Sequence, residues 1–186
     1  MRQNVLRRAL SWKLKLGVAL ALAIGLGLVS SGDTAHAQVS CEGFGFRQMG
    51  FAVYGSPGGD LIDCAGSTAD LVIFGMDGND VIVSGTGRDI LIGGAGFDFL
   101  FSREGNDFLS GGEDSDFLFS SLGDDYLAGG PANDLLVGGP DSDVLHGGPG
   151  DDILIGGSGM DVCDGQEGEE DLASNDCEAP INVKFY

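Results

Sequence analysis

The sequence is dominated by an aspartate that recurs every nine residues. Ten successive units carry it without a gap, and an aliphatic residue or a cysteine follows two places later in each unit. A repeat of this length predicts a solenoid, in which one unit cannot bury its apolar side alone and only a stack of units is stable. The recurring residues are Asp80, Asp89, Asp98, Asp107, Asp116, Asp125, Asp134, Asp143, Asp152 and Asp161.

Each unit divides into a six-residue turn and a three-residue strand. Glycine at the first, second and fourth places of the turn, as at Gly93, Gly94 and Gly96, permits positive φ and close backbone packing. The strand half, as in FLF at 99–101, is β-branched, aliphatic or aromatic and favours extended structure. Its middle residue points the opposite way from its neighbours, so we expect the Leu, Ile or Cys there to face inward.

Two units make one 18-residue coil with the order turn, strand, turn, strand. Stacked coils predict an all-β molecule in which two parallel sheets press on a leucine interior. Five coils over residues 75–164 would rise roughly 24 Å at the usual strand spacing of about 4.8 Å.

The stacking creates an electrostatic problem. Aspartates of alternate units lie one above another, and each adjacent pair repels by about 1 kcal/mol in water or roughly 3.5 kcal/mol at an effective dielectric of 20. A divalent cation between coils would remove the repulsion. Carboxylate and carbonyl oxygens are the ligands on offer, which suits Ca²⁺ rather than zinc or copper. The alternative is that aspartate only shapes the turns through its own backbone contacts.

The units GGAGFDFLF, GGEDSDFLF, GGPANDLLV, GGPGDDILI and GGSGMDVCD resemble the RTX, or hemolysin-type, calcium-binding nonapeptide GGxGxDxUx. The resemblance covers about 90 residues and implies a parallel β-roll with several Ca²⁺ ions held between successive turns. It makes the ten recurring aspartates the side-chain ligands. Turn carbonyls supply the remaining ligands, for which we assign Gly75, Gly93, Gly111, Gly129, Gly147, Gly96 and Gly150.

The aspartates separate into two ladders when alternate units are compared. The first ladder is Asp80, Asp98, Asp116, Asp134 and Asp152, and its turns begin with glycine. The second ladder is Asp89, Asp107, Asp125, Asp143 and Asp161, and its turns begin with Ser84, Ser102 and Ser120 before reverting to Gly138 and Gly156. We expect the first ladder to be the better ion site. In the second, Arg88 or Arg103 is an alternative source of positive charge.

Three units depart from the glycine pattern at the fourth place. Asp114 and Asp141 are mild departures, because Asp tolerates positive φ better than most residues. Ala132 is a less comfortable one.

The outward strand positions that follow the first ladder form an unusually apolar face. This apolar face is Val81, Val83, Phe99, Phe101, Phe117, Phe119, Leu135, Val137, Ile153 and Ile155. A bare surface of this kind predicts a cover. The alternatives are the aromatic N-terminal segment 41–55, a partner protein, or self-association through Phe99, Phe101, Phe117 and Phe119.

Residues 1–37 have the features of a cleaved signal peptide. Basic residues precede the 14-residue apolar run 16–29, which is short for a bilayer span, and Ala35-His36-Ala37 is a cleavage pattern. We therefore expect a secreted protein, extracellular, periplasmic or at the cell surface; an uncleaved anchor is the alternative. Cleavage would remove five of nine basic and one of 29 acidic residues, leaving a formal charge of −24. Nucleic acid and anionic membranes would repel such a chain, whereas a cation is implied.

The rest of the chain divides around the repeats. We expect an N-terminal cap with imperfect repeats over 38–74, the β-roll over 75–164, and a C-terminal cap or tail over 165–186. The four cysteines bracket the roll, and in an exported chain they predict the disulfides Cys41–Cys64 and Cys163–Cys177. Asp60, Asp70 and Asp80 suggest that the early units are stretched repeats with ten-residue spacing.

No motif for catalysis is found. His146 is the one histidine after residue 37, and HExxH, GxSxG and a phosphate loop are absent from the sequence. We therefore expect an exported calcium-binding protein that folds on binding the ion, and not an enzyme. The alternative is a secreted or cell-surface interaction protein that uses the apolar face, with calcium only as a scaffold.

Overall fold

The computed structural model describes residues 38–41, 51–167, 170–178 and 182–185. These residues form strands and turns, with no helix among them, so the predicted all-β class is confirmed. Consequently no described segment is a helix that could cross a membrane. The predicted signal peptide at 1–37, and 42–50 of the N-terminal segment considered as a cover, lie outside the described residues.

Successive strands alternate between two sheets, except that the last two belong to the same sheet. They are β1 Gln38–Ser40, β2 Phe51–Tyr54, β3 Leu61–Asp63, β4 Leu71–Asp77, β5 Val81–Val83, β6 Ile90–Ala95, β7 Phe99–Phe101, β8 Phe108–Glu113, β9 Phe117–Phe119, β10 Tyr126–Ala128, β11 Leu135–Pro140, β12 Val144–Pro149, β13 Ile153–Ser158, β14 Val162–Glu167, β15 Leu172–Ala173 and β16 Lys184–Phe185.

The two sheets are parallel throughout. One has nine strands in the order β1-β3-β5-β7-β9-β11-β13-β15-β16, and the other has seven in the order β14-β12-β10-β8-β6-β4-β2. Within the repeats the partners are 18 residues apart, as in Leu100 with Leu118 and Leu109 with Leu127. The predicted parallel β-roll with two nonapeptides per coil is therefore confirmed, with about seven coils.

The interior is a ladder of aliphatic side chains from the middle of each strand. They are fully buried and stack between the two sheets, as predicted: Ile82, Leu91, Leu100, Leu109, Leu118, Leu127, Leu136, Leu145 and Leu154, with Cys163 at the end. Full burial of one such side chain contributes roughly 1.5–3 kcal/mol. Because each leucine touches the coils above and below, this energy is gained only by the stack.

The division into six-residue turns and three-residue strands is correct for only part of the roll. A strand that leads into a glycine turn usually extends into the turn. In β6, for example, backbone pairing with β8 continues past Gly93 and includes Gly94 with Gly112 and Ala95 with Glu113. After β5, β7 and β9 the strand ends at its third residue, where the turn begins with serine. The serine turns therefore have a different backbone course from most glycine turns.

The glycines of a turn serve two different purposes. Positive φ occurs at the second and fourth places, as at Gly94 (127°) and Gly96 (116°). The first-place glycine Gly93 does not have positive φ and is required for space instead. All three fourth-place departures adopt the left-handed region, with φ of 73° at Asp114, 84° at Ala132 and 80° at Asp141.

Both ends of the roll are closed by disulfides. Cys41 is bonded to Cys64 and Cys163 to Cys177, with Cα atoms 4.6 and 5.9 Å apart, so both expected pairings are present. The chain-entropy estimate for a loop of about 15 residues is roughly 3 kcal/mol of stabilisation.

The early repeats are less regular than the ten-residue spacing suggested. Asp60 is buried and its main-chain N–H donates to Asp80 Oδ1, which places it in line with the first ladder. Asp70, in contrast, is exposed, and Leu71 occupies the position beside Asp89. The second ladder therefore begins at Asp89, because the position 18 residues before Asp89 is Leu71 and Asp70 lies one residue out of line.

Candidate metal centres in the turns

The ten recurring aspartates lie at the turn ends, each directly before a strand, and are buried. None is more than 3% exposed. Each side chain is fixed by the coil that precedes it: the main-chain N–H of Asp80 donates to Asp98 Oδ1 at 2.8 Å, and that of Asp98 donates to Asp116 Oδ1 at 2.8 Å. The second ladder repeats the arrangement, as in the 2.8 Å bond from Asp89 N–H to Asp107 Oδ1. The structure thus brings both predicted ladders into register.

The second carboxylate oxygen of each ladder aspartate has no hydrogen-bond partner among the described residues. This Oδ2 atom is buried in every case. A buried carboxylate oxygen without a partner is unfavourable, since it has lost its hydration without compensation. The atoms concerned are Oδ2 of Asp80, Asp89, Asp98, Asp107, Asp116, Asp125, Asp134, Asp143, Asp152 and Asp161.

The electrostatic cost appears as raised pKa values. Burial raises the pKa of Asp134 to about 8, with the neighbouring Asp152 and Asp116 charges adding to it. Burial likewise raises the pKa of Asp80 to about 7 and that of Asp98 to about 6. Hydrogen bonds from the preceding coil lower these pKa values but do not cancel the desolvation. Without a counter-ion, the ladders would therefore hold part of their protons near neutral pH.

The first-place glycines leave room where two kinds of oxygen converge. A Cβ placed on Gly93 would lie 2.2 Å from Asp98 Oδ2 and 2.6 Å from the carbonyl oxygen of Gly111. On Gly75 it would lie 2.3 Å from Asp80 Oδ2 and 2.6 Å from the carbonyl oxygen of Gly93. We call a first-place glycine that lies against the Oδ2 of its own turn a glycine cradle; at Gly75, Gly93, Gly111 and Gly138 a carbonyl oxygen of the next coil lies beside it as well. The same contact with Oδ2 recurs at Gly111, Gly129, Gly147, Gly138 and Gly156.

These residues fit a hard divalent cation. The described residues contain no group of three or more His, Cys, Asp or Glu side chains that could hold a metal on its own. A cation in a turn would therefore take its ligands from the unpartnered Oδ2 atoms and from backbone carbonyls. That donor set is the one that Ca²⁺ prefers, with flexible geometry and six to eight oxygens.

The serine turns of the second ladder lack the cradle. Ser84 and Ser102 are buried beside Asp89 and Asp107. Burial raises the pKa of both carboxyls, and the nearby serine hydroxyls offset part of that rise. The Ser120 hydroxyl donates to the carbonyl oxygen of Gly138, the group that faces the open space in a glycine cradle. Serine atoms therefore fill the space that glycine leaves open.

The arginine alternative for the second ladder is wrong. Arg88 extends outward and pairs with Asp70, with 3.3 Å between Nη2 and Oδ2, and both side chains are largely exposed. Arg103 is exposed as well, and in the described part of the chain it forms no ion pair. Neither guanidinium reaches the buried aspartates, because their side chains point into the turn while the arginines lie on its outer surface.

A second, outer set of side-chain bonds was not anticipated from the sequence. The residue before each ladder aspartate is polar in several turns, and its side chain accepts from the backbone one coil later, as in the 3.2 Å bond from Phe97 N–H to Asn79 Oδ1 and the 3.1 Å bond from Asp151 N–H to Asn133 Oδ1. These bonds run in the opposite direction to those of the buried aspartates. The sequence signal for them is the polar residue in the fifth place.

Together the strands and turns form a parallel β-roll in which buried carboxylate and carbonyl oxygens converge between coils. The family model of the RTX calcium-binding nonapeptide repeat matches the chain in four copies, at residues 72–100, 92–127, 101–136 and 137–169. The matched span, 72–169, is more than half of the 186 residues, and the chain belongs to this family. A comparison with curated proteins finds no match. Calcium is thus the ion that the repeats bind as a family.

Proposed function

We propose that this protein is exported, binds several Ca²⁺ ions in the glycine cradles, and completes its fold on binding them. The observation that carries the proposal is the row of buried, unpartnered Oδ2 atoms, seven of which lie against a first-place glycine. At Gly75, Gly93, Gly111 and Gly138 a carbonyl oxygen of the next coil converges on the same space. A doubly charged ion in that space would supply the missing partner to both oxygens. It would also remove the repulsion between carboxylates of adjacent coils.

The two ladders would not be occupied equally. All first-ladder turns begin with glycine, so Asp80, Asp98, Asp116, Asp134 and Asp152 are proposed as ligands, with carbonyls of Gly75, Gly93, Gly111, Gly129 and Gly147, and with those of Gly96 and Gly150 as further ligands. In the second ladder the glycine cradles belong to Asp143 and Asp161. At Asp89, Asp107 and Asp125 the serine side chain would occupy the space that a glycine cradle leaves for an ion, so we assign no tightly held ion there.

The coupling to folding follows from the burial of the carboxylates. In the ion-free roll the desolvated charges oppose the stacking that buries the leucine ladder. Ion binding adds its free energy only to the stacked state, because the cradles consist of oxygens from two coils. Extracellular calcium modules bind at roughly 10⁻⁴–10⁻³ M, so such a protein would be unstacked where calcium is scarce and folded outside the cell.

A calcium titration followed by circular dichroism tests this function. In EDTA we expect little β-signal at pH 7.5, and a cooperative gain as Ca²⁺ is added through the range of about 10⁻⁴–10⁻³ M. Mg²⁺ at equal concentration should give much less, since it demands a smaller octahedral site and retains its waters. A full β-signal in EDTA, or equal action of Mg²⁺, would contradict the proposal.

The apolar face favours a second function as a contact surface between copies of this protein. Phe99 stacks on Phe117 with 5.0 Å between ring centroids, Phe101 stacks on Phe119 at 5.1 Å, and Phe97 packs edge-on against the first pair. The rings remain partly exposed in the single chain. Because the chain carries a formal charge of −20, two copies would repel unless bound calcium lowered that charge.

Light scattering at saturating Ca²⁺ separates the two functions. We expect the double variant Phe99→Ser/Phe117→Ser to be monomeric under conditions in which the unmodified protein associates. Phe108→Ser is the matched control, because Phe108 is also exposed and stacked but lies on the seven-stranded sheet. If the unmodified protein is monomeric at all calcium concentrations, the contact function is wrong, whereas the proposed calcium binding is unaffected.

A further inference from the structure

We propose that the first ladder continues beyond the last nonapeptide into an additional Ca²⁺ site, formed by Gly165, Asp171 and the main-chain carbonyl of Asn182. The proposal rests on the calcium function of the glycine cradles. Asp171 and Asn182 lie outside the four family matches, which end at residue 169. The site therefore joins Gly165, at the end of the last matched repeat, to residues beyond the repeats.

The geometry around Gly165 reproduces a cradle of the regular coils. A Cβ placed on Gly165 would lie 2.4 Å from Asp171 Oδ2 and 2.6 Å from the carbonyl oxygen of Asn182. At Gly93 the corresponding distances, to the aspartate of its own turn and to the carbonyl one coil later, are 2.2 and 2.6 Å. Asn182 thus supplies the carbonyl that a further repeat would have supplied.

Asp171 is aimed into this space in the same way as the ladder aspartates. It is 2% exposed, and its Oδ1 accepts from the main-chain N–H of Asp152 at 2.9 Å. Its Oδ2 is buried and accepts no hydrogen bond among the described residues. The spacing from Asp152 is 19 residues rather than 18, so the residue keeps its place in the ladder although the chain between the two is one residue longer.

The other ladder ends differently. The main-chain N–H of Asp161 donates to Glu178 Oε2 at 2.6 Å, but Glu178 is exposed. No buried, unpartnered oxygen corresponds to Asp171 at this end within the described residues beyond Asp161. The additional site is therefore specific to the first ladder, in agreement with its glycine turns.

An ion at this site would attach the last strand to the roll. Asn182 lies two residues before β16, whose Lys184 N–H donates to the carbonyl oxygen of Asp171 at 2.7 Å. Val183 packs against the buried core, and Asn182 Nδ2 donates to Asp164 Oδ1 at 3.1 Å. Binding would join the segment 182–185 to the turn that holds Asp171, and so cover the open end of the leucine ladder.

Isothermal titration calorimetry and hydrogen exchange on Asp171→Asn test the site. The amide keeps an oxygen for the Asp152 N–H but removes the charge. We expect this variant to bind one Ca²⁺ fewer than the unmodified protein, and its Lys184 amide to exchange at least about 10-fold faster in saturating Ca²⁺. Asp63→Asn is the matched control, since it makes the same change at an exposed aspartate outside the site and keeps an oxygen for the Ala65 N–H; it should bind the full number of ions.

The outcomes distinguish this inference from the proposed function. An unmodified protein that binds no Ca²⁺ overturns both. An Asp171→Asn variant with the full number of ions and unchanged exchange at Lys184 overturns the additional site alone. If that variant fails to fold, crystals of the unmodified protein grown with Tb³⁺ test the site instead. An anomalous peak beside Asp171 Oδ2 and the Asn182 carbonyl supports the site. Peaks beside Asp98 and Asp116 without one beside Asp171 overturn it.

Discussion

The main-chain N–H of Asp80 donates to Asp98 Oδ1 at 2.8 Å, across one full coil of the roll. The bond positions the Asp98 carboxylate but uses only one of its oxygens, and the other is buried without a partner. The same residue type therefore holds the coils in register and presents a row of unsatisfied negative charge between them. A purely structural aspartate would need only the first of these features.

Gly93→Ala should abolish the cradle at Asp98. The new methyl would lie 2.2 Å from Asp98 Oδ2 and 2.6 Å from the carbonyl of Gly111; the carboxylate can turn away, but the backbone carbonyl cannot. We expect one Ca²⁺ fewer by titration calorimetry and a lower melting temperature in saturating Ca²⁺. Gly58→Ala is the control, because a Cβ there meets nothing within 4 Å. Equal ion numbers in the two variants would show that the space at Gly93 is not part of a site.

The repeating part of this fold could be predicted almost completely from the sequence. The nine-residue aspartate spacing defined the coil, and the alternation in FLF at 99–101 placed Leu100 in the core, where it is fully buried. Even the positive φ at Asp114 could be anticipated from its place in the turn. Each of these features depends on local geometry that is repeated many times, so a wrong prediction for one unit is corrected by comparison with the other units.

The features that lack a repeat could not be predicted. The spacing did not place Asp171 in the first ladder, because the ladder reaches it after 19 residues. The part we propose for Asn182 depends on a carbonyl, which no side-chain pattern reveals. Asp70 matched a ten-residue spacing and yet lies outside the ladder. The direction of Arg88 was also unpredictable, since a long exposed side chain has several carboxylates within reach and sequence spacing does not choose between them.

The serine turns predict a difference between two aspartates of equal burial. In metal sites, loss of a residue that only supports a ligand lowers metal affinity by roughly 10- to 100-fold. Asp98 is proposed as a direct ligand, so Asp98→Asn should lower the calcium affinity of its site by at least that much. Asp107→Asn should leave the number and affinity of the ions unchanged, because Ser102 fills the corresponding space. Calcium titration of both variants measures the difference. If Asp107→Asn also loses an ion, the serine turns bind calcium and the unequal occupancy is wrong.

The raised pKa values predict how the calcium-free protein responds to pH. Burial raises the pKa of Asp116 to about 7 and that of Asp134 to about 8, above the ordinary value of 3.8. The folded state therefore binds more protons than the unfolded state between about pH 4 and 8, and its stability falls as pH rises through that window. In EDTA, circular dichroism should show more β-signal at pH 5 than at pH 8, and urea should remove the signal present at pH 5.

Calcium should reverse this dependence. The ion competes with protons for the same oxygens, so apparent calcium affinity should rise from pH 5 to pH 8 and then level off. Denaturation midpoints in 10 mM Ca²⁺ and in EDTA, measured side by side across this range, provide the check. A calcium-free protein that becomes more stable with increasing pH would mean that the carboxylates are not desolvated as the structure indicates.

The leucine ladder predicts a large and local stability difference within the roll. Leu100→Ala removes a fully buried side chain that packs between coils, and such truncations cost about 2–5 kcal/mol. Leu122→Ala changes a side chain that is 46% exposed and should alter the free energy of unfolding by less than about 0.5 kcal/mol. Denaturant titration in saturating Ca²⁺ measures both. Because neighbouring coils share the core, we expect Leu100→Ala to weaken calcium binding at Asp98 as well. A Leu100→Ala variant that unfolds more easily but keeps full calcium affinity would show that stacking and ion binding are not coupled.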